Sequence, residues 1–368
     1  MINNKTIAVV VPAYNEEKQI KKVIEHMPDF VDRIVIIDDG SKDDTVKVVS
    51  DILLELDNKG LYLKNLLEVK EDELGYNRAE KVLLEKRQKE IKYFAESEII
   101  NKDPENERII LIRLKKNSGV GAAVARGYKW CLDHGLACVA KMDGDGQMDP
   151  AELESICRPV IEDGVDYVKG NRLIHQSAWY VIPKLRFFGN AVLSILTKIA
   201  SGYWHVSDTQ TAFAAISHKA LNSIPLHKLY HTYGYPNDIL VKLNMAFCTI
   251  SEVCVKPIYE VGESSKMKIM KVIFPISWLL LKSFVKRLWI KYLFRDFHPL
   301  FFLYHFSFIL LILAIPYSIE IINNLATEGA KTSNDILLAF MFLFISGFQS
   351  LVFAMWMDMQ DNNRLYKT

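Results

Sequence analysis

Asp143 and Asp145 stand one residue apart at the end of a short apolar run, in the string Val139-Ala140-Lys141-Met142-Asp143-Gly144-Asp145-Gly146-Gln147. Side chains at i and i+2 of an extended segment point the same way, so these two carboxylates can share one hard cation. Carboxylate oxygens suit magnesium or manganese, and the flanking glycines let a diphosphate come close to the backbone. The same Asp-Gly-Asp-Gly string also suits a plain turn after a strand, so neighbouring segments have to decide between the two.

Two of those segments carry polar residues to the same place. Thr6 to Val11 is a continuous apolar run broken by Pro12 and followed by Ala13-Tyr14-Asn15-Glu16-Glu17, which predicts a buried parallel strand leading into a polar loop. Arg33 to Ile37 predicts a second strand, ending in Asp38-Asp39-Gly40-Ser41. Open α/β sheets bind ligands at the C-terminal ends of their strands. Tyr14 is then available to stack on a base and Asp39 to accept from a ring N–H, which fits a nucleoside diphosphate. Gly119-Val120-Gly121-Ala122-Ala123 lacks the third glycine of a dinucleotide-binding loop and does not open the first βα unit; it predicts a tight helix start.

Taken in order, V-P-A-Y-N-E, D-D-G-S, N-x-G-x-G-A-A and D-G-D-G-Q resemble the family 2 glycosyltransferases, in particular the polyprenyl-phosphate sugar transferases of the dolichyl-phosphate mannosyltransferase type. The resemblance runs from about Thr6 to Lys266. It implies an α/β fold of the GT-A type, a Rossmann-like nucleotide-sugar-binding domain with a mostly parallel sheet. It also implies an inverting, metal-dependent hexosyltransferase using Mg2+ or Mn2+, a UDP- or GDP-sugar donor and a polyprenyl phosphate acceptor, undecaprenyl or dolichyl. Under this resemblance Pro12, Tyr14, Glu16 and Asp39 hold the nucleoside, and Asp143, Asp145 and Gln147 hold the metal and donor diphosphate.

Later blocks carry the acceptor side. Arg172 in Lys169-Gly170-Asn171-Arg172 and Arg186 in Lys184-Leu185-Arg186 match places where related transferases bind the acceptor phosphate, a task suited to the guanidinium fork. Asp208-Thr209-Gln210-Thr211-Ala212-Phe213 resembles the D-x-x-S-G-F segment with Thr-Ala in place of Ser-Gly, and Asp208 would support either the metal loop or an arginine. Asp238 lies where many family 2 enzymes carry a general base. An ionised phosphate acceptor needs positioning more than proton removal, whereas a hydroxyl acceptor needs the base. Pro257 to Lys266 resembles the closing R-x-x-G-x-S-K segment with Tyr259 in the arginine's place, leaving Lys266 to reach a phosphate.

Composition fits a membrane-tied enzyme. Half the residues are apolar and the formal net charge is +1, so nucleic acid is not an expected partner. Five cysteines without a C-x-x-C pair fit reduced thiols, and no histidine spacing suits zinc. Pro299 to Ile319 and Ile336 to Met357 are apolar over roughly the 20 residues that a bilayer requires of a helix. His305 is expected to face the partner helix and Pro316 to kink the first span. Lys266, Lys268, Lys271, Lys282, Lys286, Arg287, Lys291 and Arg295 precede the first span, whereas the loop between spans holds only Lys331, which places both termini and the catalytic domain on the cytoplasmic side of the inner membrane.

The expected organisation is a catalytic domain over 1–266, juxtamembrane helices over 267–296 lying in the bilayer interface with snorkelling lysines, and a two-span domain over 297–368 through which copies can associate. A charged insertion over about 55–107 predicts one or two exposed helices. Two other readings stay open at this level, a transferase acting on a lipid or glycan hydroxyl and a non-catalytic nucleotide-binding membrane scaffold. A processive synthase is disfavoured because Lys286-Arg287-Leu288-Trp289 does not supply Q-x-x-R-W.

Overall fold

The computed structural model describes residues 1–55, 58–66, 77–259, 269–327 and 331–367, with the backbone alone at 185–186 and 269–272. Its elements in chain order are β1 (Ile7–Ala13), α1 (Ile20–Glu25), β2 (Arg33–Asp38), α2 (Thr45–Glu55), α3 (Arg78–Glu90), β3 (Ser97–Ile99), β4 (Ile109–Leu114), α4 (Val120–Asp133), β5 (Cys138–Lys141) and α5 (Leu153–Ile161). There follow β6 (Tyr167–Asn171), α6 (Ala178–Val181), α7 (Lys184–Ser201), β7 (Ala214–Ser217), α8 (His218–Ser223), α9 (Tyr235–Met245) and β8 (Ile250–Cys254), then α10 (Ile269–Arg287), α11 (Pro299–Ala326) and α12 (Asn334–Asn363).

The strands form one sheet in the order β3-β4-β2-β1-β5-β7-β6-β8. Pairing is parallel among β4, β2, β1 and β5 and antiparallel where β7 enters between β5 and β6. Every residue of β1 and β2 is buried, because helices cover both faces. Alternate residues divide between two cores. Val10, Val35, Ile37, Ile110 and Val139 pack with residues of α4 and α9, while Val9, Val11, Ile34, Ile36 and Ala140 pack with residues of α1, α2 and α5. Each such side chain contributes roughly 1.5–3 kcal/mol on burial, which keeps the strand ends that carry the site in fixed register.

The described residues of the insertion supply one of the one or two exposed helices expected, and add a strand the sequence did not suggest. The helix is α3, with no buried residue, and the strand is the short β3, which adds antiparallel to the sheet edge through Ser97, Glu98 and Ile99.

The helix α10 continues into a π-helical turn over Leu288–Arg295. One face, with Ile276, Leu280, Phe284, Leu288 and Tyr292, packs on Val241 of α9 and Ala200 of α7. The opposite face exposes Phe274, Trp278, Leu281 and Val285, so this segment both docks on the catalytic domain and presents an apolar flank. Lys282 and Lys286 are exposed, as snorkelling requires, but Arg287 and Lys291 correct that expectation. Arg287 is fully buried and its guanidinium grips Asp358 of α12 with two bonds of 2.8 Å. It also donates to the Ile199 carbonyl at the end of α7 at 3.1 Å. Gly202 caps that end at φ +79°, and a Cβ there would lie 2.4 Å from the Arg287 Nη1, so glycine is required. Lys291 bonds Asn362, Asn244 and Asp361, and the Tyr292 hydroxyl donates to Asp358 at 2.6 Å. Buried charges are tolerated only when paired, and here the pairs join three parts of the chain.

Helices α11 and α12 are each long and apolar enough to cross a bilayer; α11 starts at Pro299 as expected and runs on past Ile319, and α12 extends beyond both expected ends. Only 28% and 6% of their most apolar stretches is buried, unlike the core helices of a water-soluble domain. They pack as a hairpin in which Ser307 donates to the Gly347 carbonyl at 2.8 Å. His305 does not turn to α12 as expected. Its ring lies against Phe301 and Trp289, and its Nδ1 bonds the Phe301 carbonyl. The helix runs on through Pro316. After α12 the chain returns to the sheet: Ile250 donates to the Leu365 carbonyl, Lys367 donates to the Ile250 carbonyl, and Leu365 enters the core.

Candidate active site

The three expected strand ends meet. Beyond β1, Asn15 takes a left-handed conformation at φ 56°, and the loop is laced to the one after β2: Asn15 N to Ser41 Oγ, Glu16 N to Thr45 Oγ1 and Lys42 N to Asn15 Oδ1. Pro12 is buried and accepts from Gly144 N, so the segment carrying Tyr14 and Glu16, both half-buried, lies against the aspartate loop. Asp39 is buried, and its two oxygens accept from Ser118 N at 2.7 Å and Gly119 N at 2.9 Å. Burial pushes its carboxyl up, against the pull of those amides. Asp39 therefore fixes the start of α4, while its own amide donates to the Ala13 carbonyl just before Tyr14. Gly119 sits at φ +94° there, 2.4 Å from the His231 carbonyl oxygen if given a Cβ.

After β5 the loop folds on itself, with Gln147 N donating to Asp145 Oδ1 at 3.0 Å. Asp143 is paired with the Lys141 ammonium at 2.5 Å. Burial, then the Asp143 charge, pushes the Asp145 carboxyl up to about 7. Two carboxylates that repel each other and are partly desolvated are a suitable pair for a divalent cation. Among the described residues no three His, Cys, Asp or Glu side chains are grouped as a metal site.

Beside this loop opens a cavity of about 320 Å³. Asp143, Asp145, Gln147 and Arg172 line it, together with Leu193 of α7, Ile273 and Ile276 of α10, and Ile258. Arg172 is held by Asp208, Nε to Oδ2 at 2.9 Å and Nη2 to Oδ1 at 3.2 Å. Arg172 and the buried Lys169 hold the Asp208 carboxyl down despite its complete burial. Asp208 also accepts from Thr211 N, and Glu252 accepts from the Ser207 and Asp208 amides. Of the two roles open to Asp208, it serves the arginine.

Other expected residues stand elsewhere. Asp238 does not line the cavity; it accepts from Tyr230 N at 2.8 Å and pairs with Lys242 one turn along α9. Tyr235 and Pro236, three and two residues earlier, are the ones that face it. Lys266 and the Arg186 side chain lie outside the described residues, while Tyr259 lines the cavity. Sequence reasoning missed Lys141, Lys169 and Tyr235. The first had a signal, a lysine breaking an apolar run just before the aspartates.

Glycosyl transferase family 2 matches the chain over residues 8–65 and 91–224, which spans β1, the aspartate loop, Arg172 and Asp208. The chain belongs to this family. Among family 2 relatives, the UDP-N-acetylglucosamine–dolichyl-phosphate N-acetylglucosaminyltransferase of Methanococcus voltae is 28% identical, over 70% of this chain and 87% of the relative. A dolichyl-phosphate beta-glucosyltransferase of Dictyostelium discoideum is 23% identical, over 69% of this chain and 67% of its own. Among solved structures, glucosyl-3-phosphoglycerate synthase of Mycobacterium tuberculosis, in complex with Mn2+, UDP and glucosyl-3-phosphoglycerate, superposes with a TM-score of 0.46 at 16% identity, covering 77% of this chain and 80% of that one. The family 2 domain here is thus the part that holds the aspartate loop, and α10 to α12 follow it.

Proposed function

We propose that this family 2 enzyme transfers a sugar from a nucleoside-diphosphate sugar to a polyprenyl phosphate at a membrane surface, with inversion at the anomeric carbon. The observation that carries this is the cavity, which joins the two aspartates and Arg172 to apolar walls from α7 and α10. A lipid phosphate needs such a place, cationic for its head and apolar for the start of its tail. Relatives from Methanococcus and Dictyostelium named for dolichyl-phosphate transfer support the acceptor class.

A magnesium or manganese ion bound at Asp143 and Asp145 would neutralise charge on the leaving nucleoside diphosphate. Gln147 and the loop amides orient that diphosphate. Arg172, immobilised on Asp208, aims the acceptor phosphate at the sugar, and guanidinium geometry allows two parallel bonds to it. No base is needed, because the phosphate oxygen is already an anion at pH 7. A hydroxyl acceptor would need one, and the carboxylates lining the cavity among the described residues are the two aspartates and Glu152, which is held by Lys256 N. The exposed Lys282, Lys286 and Arg295 before α11 support an orientation with catalytic domain and both termini on the cytoplasmic side.

The test incubates the purified full-length protein with Mn2+ and a panel of radiolabelled nucleotide sugars, UDP-sugars first, with and without a polyprenyl phosphate. Label entering the organic phase only when the lipid phosphate is present is the expected result. Donor turnover with a polyprenol but not its phosphate would overturn the acceptor assignment.

A further inference from the structure

Lys141 ends β5 at the floor of the cavity, 1% exposed, with its ammonium on Asp143 and 5.7 Å from the centre of the Tyr235 ring. Sheet register gives it a companion. Lys141 pairs with Ala214 of β7, and Ala214 pairs on its other side with Lys169 of β6. Residues paired across strands project from one face, so two lysine stems rise side by side with only a methyl group between them. Lys169 donates to the Thr211 carbonyl, and Arg172 is braced by Asp208 along one edge, which leaves its other edge for a phosphate.

Lys141 differs from both, because its partner is the carboxylate that the aspartate loop offers to a cation. An ammonium carries three donors and is costly to bury unpaired. When Asp143 engages a divalent cation, Lys141 loses most of that partnership while remaining walled in by the sheet. The space it faces is the cavity that already contains Arg172. Tyr235 lines the same cavity, and its buried hydroxyl has no hydrogen-bond partner among the described residues. A buried ammonium and an unpaired hydroxyl at one wall suit an oxyanion.

We propose that Lys141 is a second ligand of the acceptor phosphate, paired with Asp143 and turned to the phosphate when Asp143 engages a divalent cation. This rests on the polyprenyl-phosphate reading above. It makes binding ordered: donor with metal first, acceptor second, with Lys141 as the group that couples them.

The experiment uses the full-length protein in detergent with Lys141→Met and Lys141→Arg. Free Mn2+ is followed by electron paramagnetic resonance in the presence of UDP, and binding of a short-chain polyprenyl phosphate is measured with and without Mn2+–UDP. In the wild type, Mn2+–UDP should tighten lipid-phosphate binding, and the lipid should tighten Mn2+–UDP by the same factor. Lys141→Met should bind Mn2+ as tightly as the wild type or several-fold tighter, having lost the competing ammonium. It should bind the lipid phosphate about tenfold more weakly, with the coupling gone, and Lys141→Arg should recover part of the lipid affinity. Parallel weakening of Mn2+ and lipid in Lys141→Met would mark Lys141 as structural support only, and unchanged lipid affinity would remove it from the acceptor site. Either result leaves the proposed reaction standing if the wild type still labels lipid phosphate; a wild type that labels only an alcohol overturns both.

Discussion

The Arg172 guanidinium meets the Asp208 carboxylate edge to edge, Nε to Oδ2 at 2.9 Å and Nη2 to Oδ1 at 3.2 Å, with the aspartate completely buried. Asp208→Asn keeps the shape but loses the charge that anchors the arginine. The expected outcome is a KM for lipid phosphate raised roughly tenfold, with the donor KM within a factor of about two. Asp208→Ala should also destabilise the fold by about 3–5 kcal/mol, because Arg172 and the Thr211 amide lose their partner. Steady-state kinetics on both substrates and denaturant melts separate the two effects.

Asp145→Asn should lower transfer by roughly a hundredfold or more while far-UV circular dichroism stays that of the wild type. Manganese binding in the presence of UDP should weaken in step. Full activity in this variant would refute the assignment of the aspartate loop.

The same residue sets a pH dependence. Burial and Asp143 push the Asp145 carboxyl up to about 7 in the metal-free protein. The unfolded chain has lost this proton above roughly pH 4, so the folded state holds the extra proton between the two values. Stability gained this way is fully present below the unfolded value and is lost as pH rises through about 7. The chelated wild type should therefore melt at progressively lower temperature from pH 5 to 8, and Asp145→Asn should show a flatter profile. Coincident slopes for the two proteins would contradict this.

Arg287→Met leaves Asp358 buried without its cation and should cost about 3–5 kcal/mol. The double variant Arg287→Met, Asp358→Leu replaces the pair by apolar groups and should recover much of that loss. Thermal unfolding in detergent distinguishes them; a double variant no better than the single would show that the pair acts through the Ile199 carbonyl and Tyr292 instead.

Gly119→Ala forces a side chain into a left-handed turn and against the His231 carbonyl. A destabilisation of about 1–3 kcal/mol is expected, together with weaker nucleotide binding, since the same turn is tied to Asp39. Isothermal titration with UDP checks the second part.

The aspartate loop and the three converging strands were legible because a buried parallel strand advertises itself as an unbroken apolar run, and its chemistry sits at the next residues. The Arg172–Asp208 pair was legible only as two candidates, since strands β6 and β7 bring together groups 36 residues apart. Asp238 misled because spacing puts it near the right helix turn, while the helix phase turns it to Tyr230 and Lys242. Arg287 and Lys291 read as headgroup anchors for a good reason: a charge on an apolar helix beside a span usually snorkels. Their partners lie 71 residues onward, at the far end of a second span. The strand β3 is three residues long with a glutamate at its centre, too short for any alternation to show.

β8 ends the sheet, and an open edge offers unpaired amides and carbonyls to any extended chain that meets it. Here Leu365 and Lys367 occupy the Ile250 position of that edge. Leu365 to Lys367 therefore hold the first position of that edge, taking up both the amide and the carbonyl of Ile250. Removing Leu365 to Lys367 would bare that position and take a side chain out of the core, so the sheet is tied through Ile250 to the helix that leaves the second span, and a melt of the shortened protein should show a lower midpoint.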